Sequence, residues 1–219
     1  MKQSLHFRDH EAIWLKVHDY LQEKILNGEI APNTRLVESA IAKEIGTSRT
    51  PVREALHNMQ QEGLVQSIPR VGYIVKELTE DEMVQICGIR TVLEILAAEW
   101  AVQRDRKAVI RELRENISSS KELIRTGNLS AFIDLDEQFH GTLSRLSGSH
   151  HLLNVALTMR RLMLRIRIKA LCHSDNCKRS LDGHRLILKA IQKGDIEEIR
   201  DAIVHHVRIS LEDIRKELA

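Results

Sequence analysis

Four side chains of this 219-residue sequence could hold a divalent transition metal: Asp136, His140, His184 and His206. Imidazole nitrogens and carboxylate oxygens are ligands that zinc and its first-row neighbours accept, and this set leaves room for a ligand oxygen. Asp136 and His140 stack on one helix face, and Ile133 and Leu143 on the same face turn it inward. His184 belongs to the stripe Leu181, Ile187, Leu188 and Ile191; His206 belongs to that of Ile199, Ile203 and Ser210. Gly194-Asp195 reads as a helical-hairpin turn at nearly equal distance from both histidines, so antiparallel pairing brings them level. His205 instead follows Glu198 and Asp201 outward. A lone inward histidine is more often a satisfied core residue, since ligation needs convergent partners. Candidates on converging stripes tilt the balance towards a ligand set, with zinc first and nickel or manganese as alternatives. The same set without a metal could bind a metabolite directly, and with one it could activate water as a hydrolase, although no dedicated general base is evident.

A second constellation suits nucleic acid. From Ser48 onward Val52, Ala55, Leu56 and Met59 recur at helical spacing, while Arg49, Arg53, His57 and Gln60 share another side. One face packs and the other is free. Arginine grips guanine bidentately or clamps phosphate, and the hydroxyls of Ser48 and Thr50 beside a helix N-terminus suit phosphate oxygens. Arg70, next to Gly72, could reach a minor groove from the tip of a hairpin. Taken alone, the pattern is matched by many solvated helix faces.

The elements that position these residues are legible from punctuation. Glu11 to Asn27 carries Ile13, Val17, Leu21 and Ile25 at helical spacing and stops at Gly28. Glu38 to Ile45, with Ile41 and Ile45 on one face, makes a short second helix ending at Gly46. A third follows at once, capped by Ser48 or Thr50 with Pro51 in its first turn, and runs to Gln61. Leu64 to Ile68 and Tyr73 to Lys76 read as two strands around the turn Pro69-Arg70-Val71-Gly72. From Thr79 onward strand signals vanish; Gly127-Asn128, Gly148 and Gly194-Asp195 separate about six helices by these stop signals. The helix of Asp136 and His140 spans about 130–147 on the same signals. The expected fold is mainly α: residues 1–77 a winged helix-turn-helix, residues 78–219 an all-α antiparallel bundle.

Composition narrows the rest. A formal net charge of +2 and 3% aromatic residues do not announce a nucleic-acid binder or a single-strand stacking platform. No apolar stretch is long enough for a membrane span, and Met1 to His6 lacks a secretory h-region, so a cytoplasmic protein is expected. Cys87, Cys172 and Cys177 read as reduced thiols. Cys172-His173 with Cys177 lacks the knuckle and second ligand pair of a zinc site. The cluster Arg160, Arg161, Arg165 and Arg167 surrounds a helix too evenly to nominate one member and reads as mostly solvated.

Arg35-Leu36, Gly46-Thr47-Ser48-Arg49-Thr50-Pro51-Val52-Arg53-Glu54-Ala55-Leu56, Glu62-Gly63-Leu64-Val65 and Gly72 together resemble the GntR family of bacterial transcription regulators. The resemblance implies a dimer on a palindromic operator, with Arg49, Thr50 and Arg53 at operator-contacting positions, Arg35 among the contacts and Gly72 as the wing glycine. Asn33 departs from the glycine common after the proline. Asp136-Glu137-Gln138-Phe139-His140, His184 to Ile191 with Gly194-Asp195, and His206 resemble the FCD effector domain of the FadR-like branch, with six helices as in the VanR-like subgroup. That resemblance implies a metal at Asp136, His140, His184 and His206, and a small organic acid bound there that shifts DNA affinity, most readily as a repressor. Arg90, four residues before Glu94, matches the family pattern for gripping a ligand carboxylate; an ordinary helix-surface pair is the alternative. Gly183 stands where relatives often carry an acidic residue, which leaves the support of His184 open.

Overall fold

A computed structural model describes residues 10–217, with side chains from residue 13 onward. The Met1 to His6 stretch lies outside the described residues. The chain divides between Leu78 and Thr79 into two compact units.

The first unit contains α1 (His10–Leu26), β1 (Arg35–Leu36), α2 (Glu38–Ile45), α3 (Arg49–Gln61), β2 (Val65–Ile68) and β3 (Gly72–Val75). Val17, Leu21 and Ile25 of α1 meet Val52, Ala55, Leu56 and Met59 of α3, the last four fully buried. Each such aliphatic side chain contributes about 1.5–3 kcal/mol by leaving water. Ile13, expected on the same stripe, is exposed instead. Gly46 closes α2 in the left-handed conformation, a geometry that costs a residue with a Cβ, and α3 restarts three residues later from Ser48. That tight turn sets the angle between the two helices.

The wing is a three-stranded antiparallel sheet of order β1-β3-β2, where two strands were expected. The extra strand is Arg35–Leu36, pairing with Ile74 and Tyr73. Two residues carry no periodicity, so only the neighbouring strand reveals it. In the wing turn Pro69 precedes Arg70, which lies at φ 65, and the Val71 amide donates to the Ile68 carbonyl. A type II turn favours glycine at that left-handed corner, so an arginine there is under local strain.

His18 of α1 is buried against the C-terminus of α3, its Nε2 3.0 Å from Glu62 Oε2.

The second unit contains α4 (Glu80–Thr126), α5 (Leu129–Leu146), α6 (His150–Leu171), α7 (Ser174–Lys193) and α8 (Ile196–Lys216). Helix α4 is broken at Asp105, where φ −155 and ψ 82 leave the helical region, so the five helices form six rods, the sixth through a break that no expected stop signal marked. Asp105 restarts the helix by accepting the Ala108 amide. Thr79 opens α4 with a capping box: its hydroxyl accepts the Glu82 amide and the Glu82 carboxylate accepts the Thr79 amide. Asn128, Ser149 and Asp195 cap α5, α6 and α8 more simply, their side chains accepting first-turn amides. The Gly194-Asp195 turn makes α7 and α8 an antiparallel hairpin, and α4 runs beside α5, α7 and α8. Three histidines are thereby carried on three helices facing one interior.

The His18–Glu62 contact generates a pH dependence. The hydrogen bond to Glu62 raises the His18 pKa above its ordinary value, against the opposing effect of burial. A raised folded-state pKa means stability that is complete below the unfolded pKa of about 6.5 and lost as pH rises through the folded value. The thermal midpoint of the wild type should therefore exceed that of His18→Gln at pH 6, and the difference should shrink by pH 9; a constant difference would show that His18 contributes only packing.

Candidate functional site

Helix α3 presents to solvent the side that the sequence assigned to it. Arg49, Thr50, Arg53, His57 and Gln60 are exposed while Pro51, Val52, Ala55, Leu56 and Met59 are buried. Ser48 caps α3 through its backbone alone; its hydroxyl makes no capping hydrogen bond. Arg35 on β1, Arg70 and Gly72 are exposed, the last two in the wing, and Gly72 sits at φ 100. Sequence reasoning missed Glu38, in the first turn of α2. Arg53 donates through Nε to Glu38 Oε1 at 3.0 Å and through Nη2 to Oε2 at 2.9 Å, and Arg49 Nη2 donates to Oε2 at 3.3 Å. These arginines, Arg53 first, hold the Glu38 carboxyl below the usual carboxylate range.

In the bundle, α5, α7 and α8 bring three imidazoles together. His184 Nε2 lies 3.3 Å and His206 Nε2 3.1 Å from His140 Nε2, and the ligand atoms of the three all fall within 4.8 Å of one another. Asp136 Oδ1 is 3.6 Å from His184 Nε2. All four residues are buried. The Cys172, His173 and Cys177 trio does not form a comparable group among the described residues, and none of the three cysteines is in a disulfide.

The surroundings of each imidazole determine what its nitrogens can do. His140 Nδ1 lies 2.8 Å from Glu94 Oε2, a carboxylate neighbour that favours a proton on Nδ1 and a free lone pair on Nε2. One lone pair accepts one hydrogen, so hydrogen bonding alone cannot account for two imidazole nitrogens both near 3.2 Å from it. Two nitrogens each about 2.1 Å from one ion lie roughly 3.0–3.4 Å apart at octahedral to tetrahedral angles, which the spacings of His184 and His206 from His140 match. His184 is held by stacking on Phe139, with ring centroids 3.8 Å apart and 6° between planes, and its Nδ1 has no hydrogen-bond partner. Gly183 supports the neighbouring ligand instead. A Cβ there would stand 2.3 Å from His206 Nδ1, so glycine is what allows that ring to lie against α7.

Burial pushes all three imidazoles towards the neutral form. Desolvation leads in each case, joined by Arg160 at His140, by His206 at His184 and by His140 at His206. Neutral imidazoles are what a cation requires. Asp136 behaves oppositely: burial favours its protonated form, but Arg167, joined by Arg160, reverses this and holds it ionised.

The arginines of α6 correct the sequence reading. Arg160 and Arg167, expected to be solvated, are each only 2% exposed. They occupy the stripe Ala156, Arg160, Met163, Arg167 and Ala170, a helical spacing that could have singled them out from Arg161 and Arg165. Arg160 donates to both Glu137 oxygens, at 2.9 and 2.6 Å, and Arg167 donates to Asp136 Oδ2 and, at 3.2 Å, to Ser210 Oγ. Ser180 Oγ donates to Asp136 Oδ1 at 2.7 Å. Arg90 pairs with Glu94 at 2.9 Å, not as a surface pair but 1% exposed, and its Nη1 has no hydrogen-bond partner. Three guanidinium groups thus face three carboxylates, those of Glu94, Asp136 and Glu137.

Residues 14–75 match the family of bacterial regulatory proteins of the gntR type, and residues 85–209 match the FCD domain. The chain belongs to the GntR family and carries an FCD domain. It is 32% identical over 90% of its length to an uncharacterized HTH-type transcriptional regulator in an unstable DNA locus of Streptomyces ambofaciens, covering 82% of that protein. It is 31% identical over 88% of its length to a "Probable D-xylose utilization operon transcriptional repressor" of Paenarthrobacter nicotinovorans, covering 84% of it. The solved structure of E. coli McbR/YncC superposes with a TM-score of 0.76 at 21% identity, over 94% of this chain and 99% of that one, a likeness of fold. This GntR-family chain is therefore a DNA-binding transcription regulator and not an enzyme, which sets the hydrolase alternative aside. No described helix is long and apolar enough to cross a membrane.

Removing one member of the buried charge cluster leaves its partners uncompensated. Arg160→Met should destabilise the protein by about 3–5 kcal/mol, as breaking a buried ion pair does. Urea unfolding measures this, and a change below about 1 kcal/mol would place Arg160 among ordinary surface ion pairs.

Proposed function

We propose that this GntR-family regulator binds a palindromic operator as a homodimer and is switched, as a repressor, by a small organic acid at a metal held by Asp136, His140, His184 and His206. The observation that carries the reading is the convergence of three buried, neutral imidazole Nε2 atoms beside an ionised carboxylate. Zinc is the first choice for this donor set, with nickel or manganese as alternatives. When bound, the ion supplies a Lewis-acidic position for an oxygen ligand.

Charge balance favours an anionic effector. Arg90, Arg160 and Arg167 offset Glu94, Asp136 and Glu137, so a dication leaves two positive charges in a low-dielectric interior. A carboxylate cancels one of them and a dicarboxylate both, and the unpaired Nη1 of Arg90 is a donor for it. Arg90, Glu94, His140, Ser144 and Arg160 line a crevice of about 200 Å³ of unfilled space, too tight to admit even a water-sized sphere. An effector enters there only by parting α4 from α6, and that gives it different affinities for two arrangements of the bundle. Such differential affinity is what a ligand needs to shift an equilibrium.

Operator contact falls to Arg49 and Arg53 in the major groove, Ser48 and Thr50 on phosphate, Arg35 beside the sheet, and Arg70 with Gly72 at the wing. The strain at Arg70 fits this role, since glycine would be cheaper if the side chain did nothing. Dimerisation is supported by α4, whose residues Val84, Ile89, Val92 and Trp100 are 40%, 49%, 65% and 39% exposed along one helix, with Gly88 among them.

Arg53→Ala should weaken operator binding about tenfold or more while the circular dichroism spectrum stays unchanged, a loss within the range of one bidentate base contact. Unchanged affinity would remove Arg53 from the reading surface. Elemental analysis of the purified protein should find one ion per chain, absent from the Asp136→Ala, His206→Ala double variant and reduced in Gly183→Ala. Retained stoichiometric metal in the double variant would refute the ligand set. A metal-free wild type that still binds an organic acid through these residues would make it a metal-free sensor.

A further inference from the structure

Glu38 occupies an unusual place for a carboxylate: it stands in the first turn of α2 between two arginines on a surface otherwise suited to a polyanion. Its side chain is 19% exposed, against 63% for Arg49 and 61% for Arg53. A bare acidic residue there would repel phosphate, so its presence needs a compensating gain. The geometry of the contact indicates what the gain is. Glu38 takes the side edge of the Arg53 guanidinium, Nε and one hydrogen of Nη2, in a two-point grip at 3.0 and 2.9 Å. Arg53 Nη1 makes no hydrogen bond among the described residues, so the end edge formed by Nη1 and the second hydrogen of Nη2 stays unused. That end edge has the spacing that pairs with O6 and N7 of guanine.

We infer that Glu38 is a specificity-determining residue of the operator-reading surface: it locks Arg53 so that its free edge reads guanine, and it tethers Arg49 beside it. This rests on the reading of Arg53 as a base contact. Without the tether, both arginines are long, mobile cations able to settle on any phosphate, and phosphate contacts carry no sequence information. With it, the local charge of the pair falls from two to one and one guanidinium edge is oriented before DNA arrives. Glu38 thus trades general affinity for discrimination, through a like-charge penalty against phosphate and a preset geometry for one base.

The inference is tested with the full-length protein on duplexes selected from a randomised double-stranded DNA library, at one fixed salt concentration. Affinity for the selected duplex and for a scrambled duplex of the same composition is measured for wild type, E38Q, E38A, R53A and E38Q/R53A. E38Q should lower the ratio of specific to non-specific affinity by at least about fivefold, the lower end of what one bidentate contact discriminates. Its affinity for scrambled duplex should be unchanged or higher, and the loss should fall on a guanine position that R53A also ceases to prefer. E38A, which leaves no misdirected amide, should behave likewise. On the R53A background the effect of E38Q on the ratio should shrink to what it exerts through Arg49.

An unchanged ratio in E38Q and E38A, with R53A still losing its guanine, would overturn the inference alone. Equal losses on both duplexes, or an undiminished effect of E38Q in the R53A background, would likewise reduce Glu38 to a structural residue. If R53A leaves the selected sequence untouched, the base-contact reading of Arg53 falls and the inference falls with it.

Discussion

The bundle depends on keeping three arginines, two carboxylates and three imidazoles out of water together, with the half-buried Glu137 at their edge. Any one of them alone would cost several kcal/mol to bury, and each is tolerable only because the others are within contact distance. The cluster draws on every helix of the domain. Arg90 and Glu94 come from α4, Asp136, Glu137 and His140 from α5, Arg160 and Arg167 from α6, Ser180 and His184 from α7, and His206 and Ser210 from α8. Moving one helix breaks the pairing of at least two others. An interior held by charges in discrete pairings, unlike one of interchangeable apolar contacts, has alternative arrangements rather than continuous ones, which suits a switch.

The two units solve opposite electrostatic problems. In the bundle, charge is enclosed and balanced, so that an added ion or anion changes the balance sharply. In the winged unit the arginines stand in solvent, where a single exposed ion pair is worth little in stability. Their constraint by Glu38 therefore matters for orientation rather than for folding. The packing beneath them, Val52, Ala55, Leu56 and Met59 against α1, keeps the helix itself rigid, so the only freedom left at the surface is that of the side chains. Between β3, which ends at Val75, and α4, which starts at Glu80, the capping box at Thr79 starts the long helix that carries Arg90 and Glu94.

Much of this was legible because it depends on local rules. The periodicity of α3, the glycine stops at Gly46 and Gly194 and the i, i+4 pair Asp136 and His140 are short-range patterns, read without knowing what lies opposite. The equal spacing of His184 and His206 about a hairpin turn extended that reading to a tertiary contact, because an antiparallel hairpin converts distance along the chain into height in the bundle. What local rules could not supply was the partner of each polar group. Strand β1 is two residues long and exists only because β3 lies beside it. Arg160 and Arg167 look like any cations on a helix until Glu137, Asp136 and Ser210 arrive from elsewhere in the chain.

The amino-acid order by itself determined where helices start and stop, which faces are apolar and which residues could ligate, since those follow from backbone propensity and side-chain period. The tertiary structure decided which charges are buried, that Glu94 lies against His140 Nδ1, that Gly183 makes room for His206, and that Glu38 holds Arg53. Burial and pairing are properties of surroundings assembled from distant segments, so no window of sequence contains them.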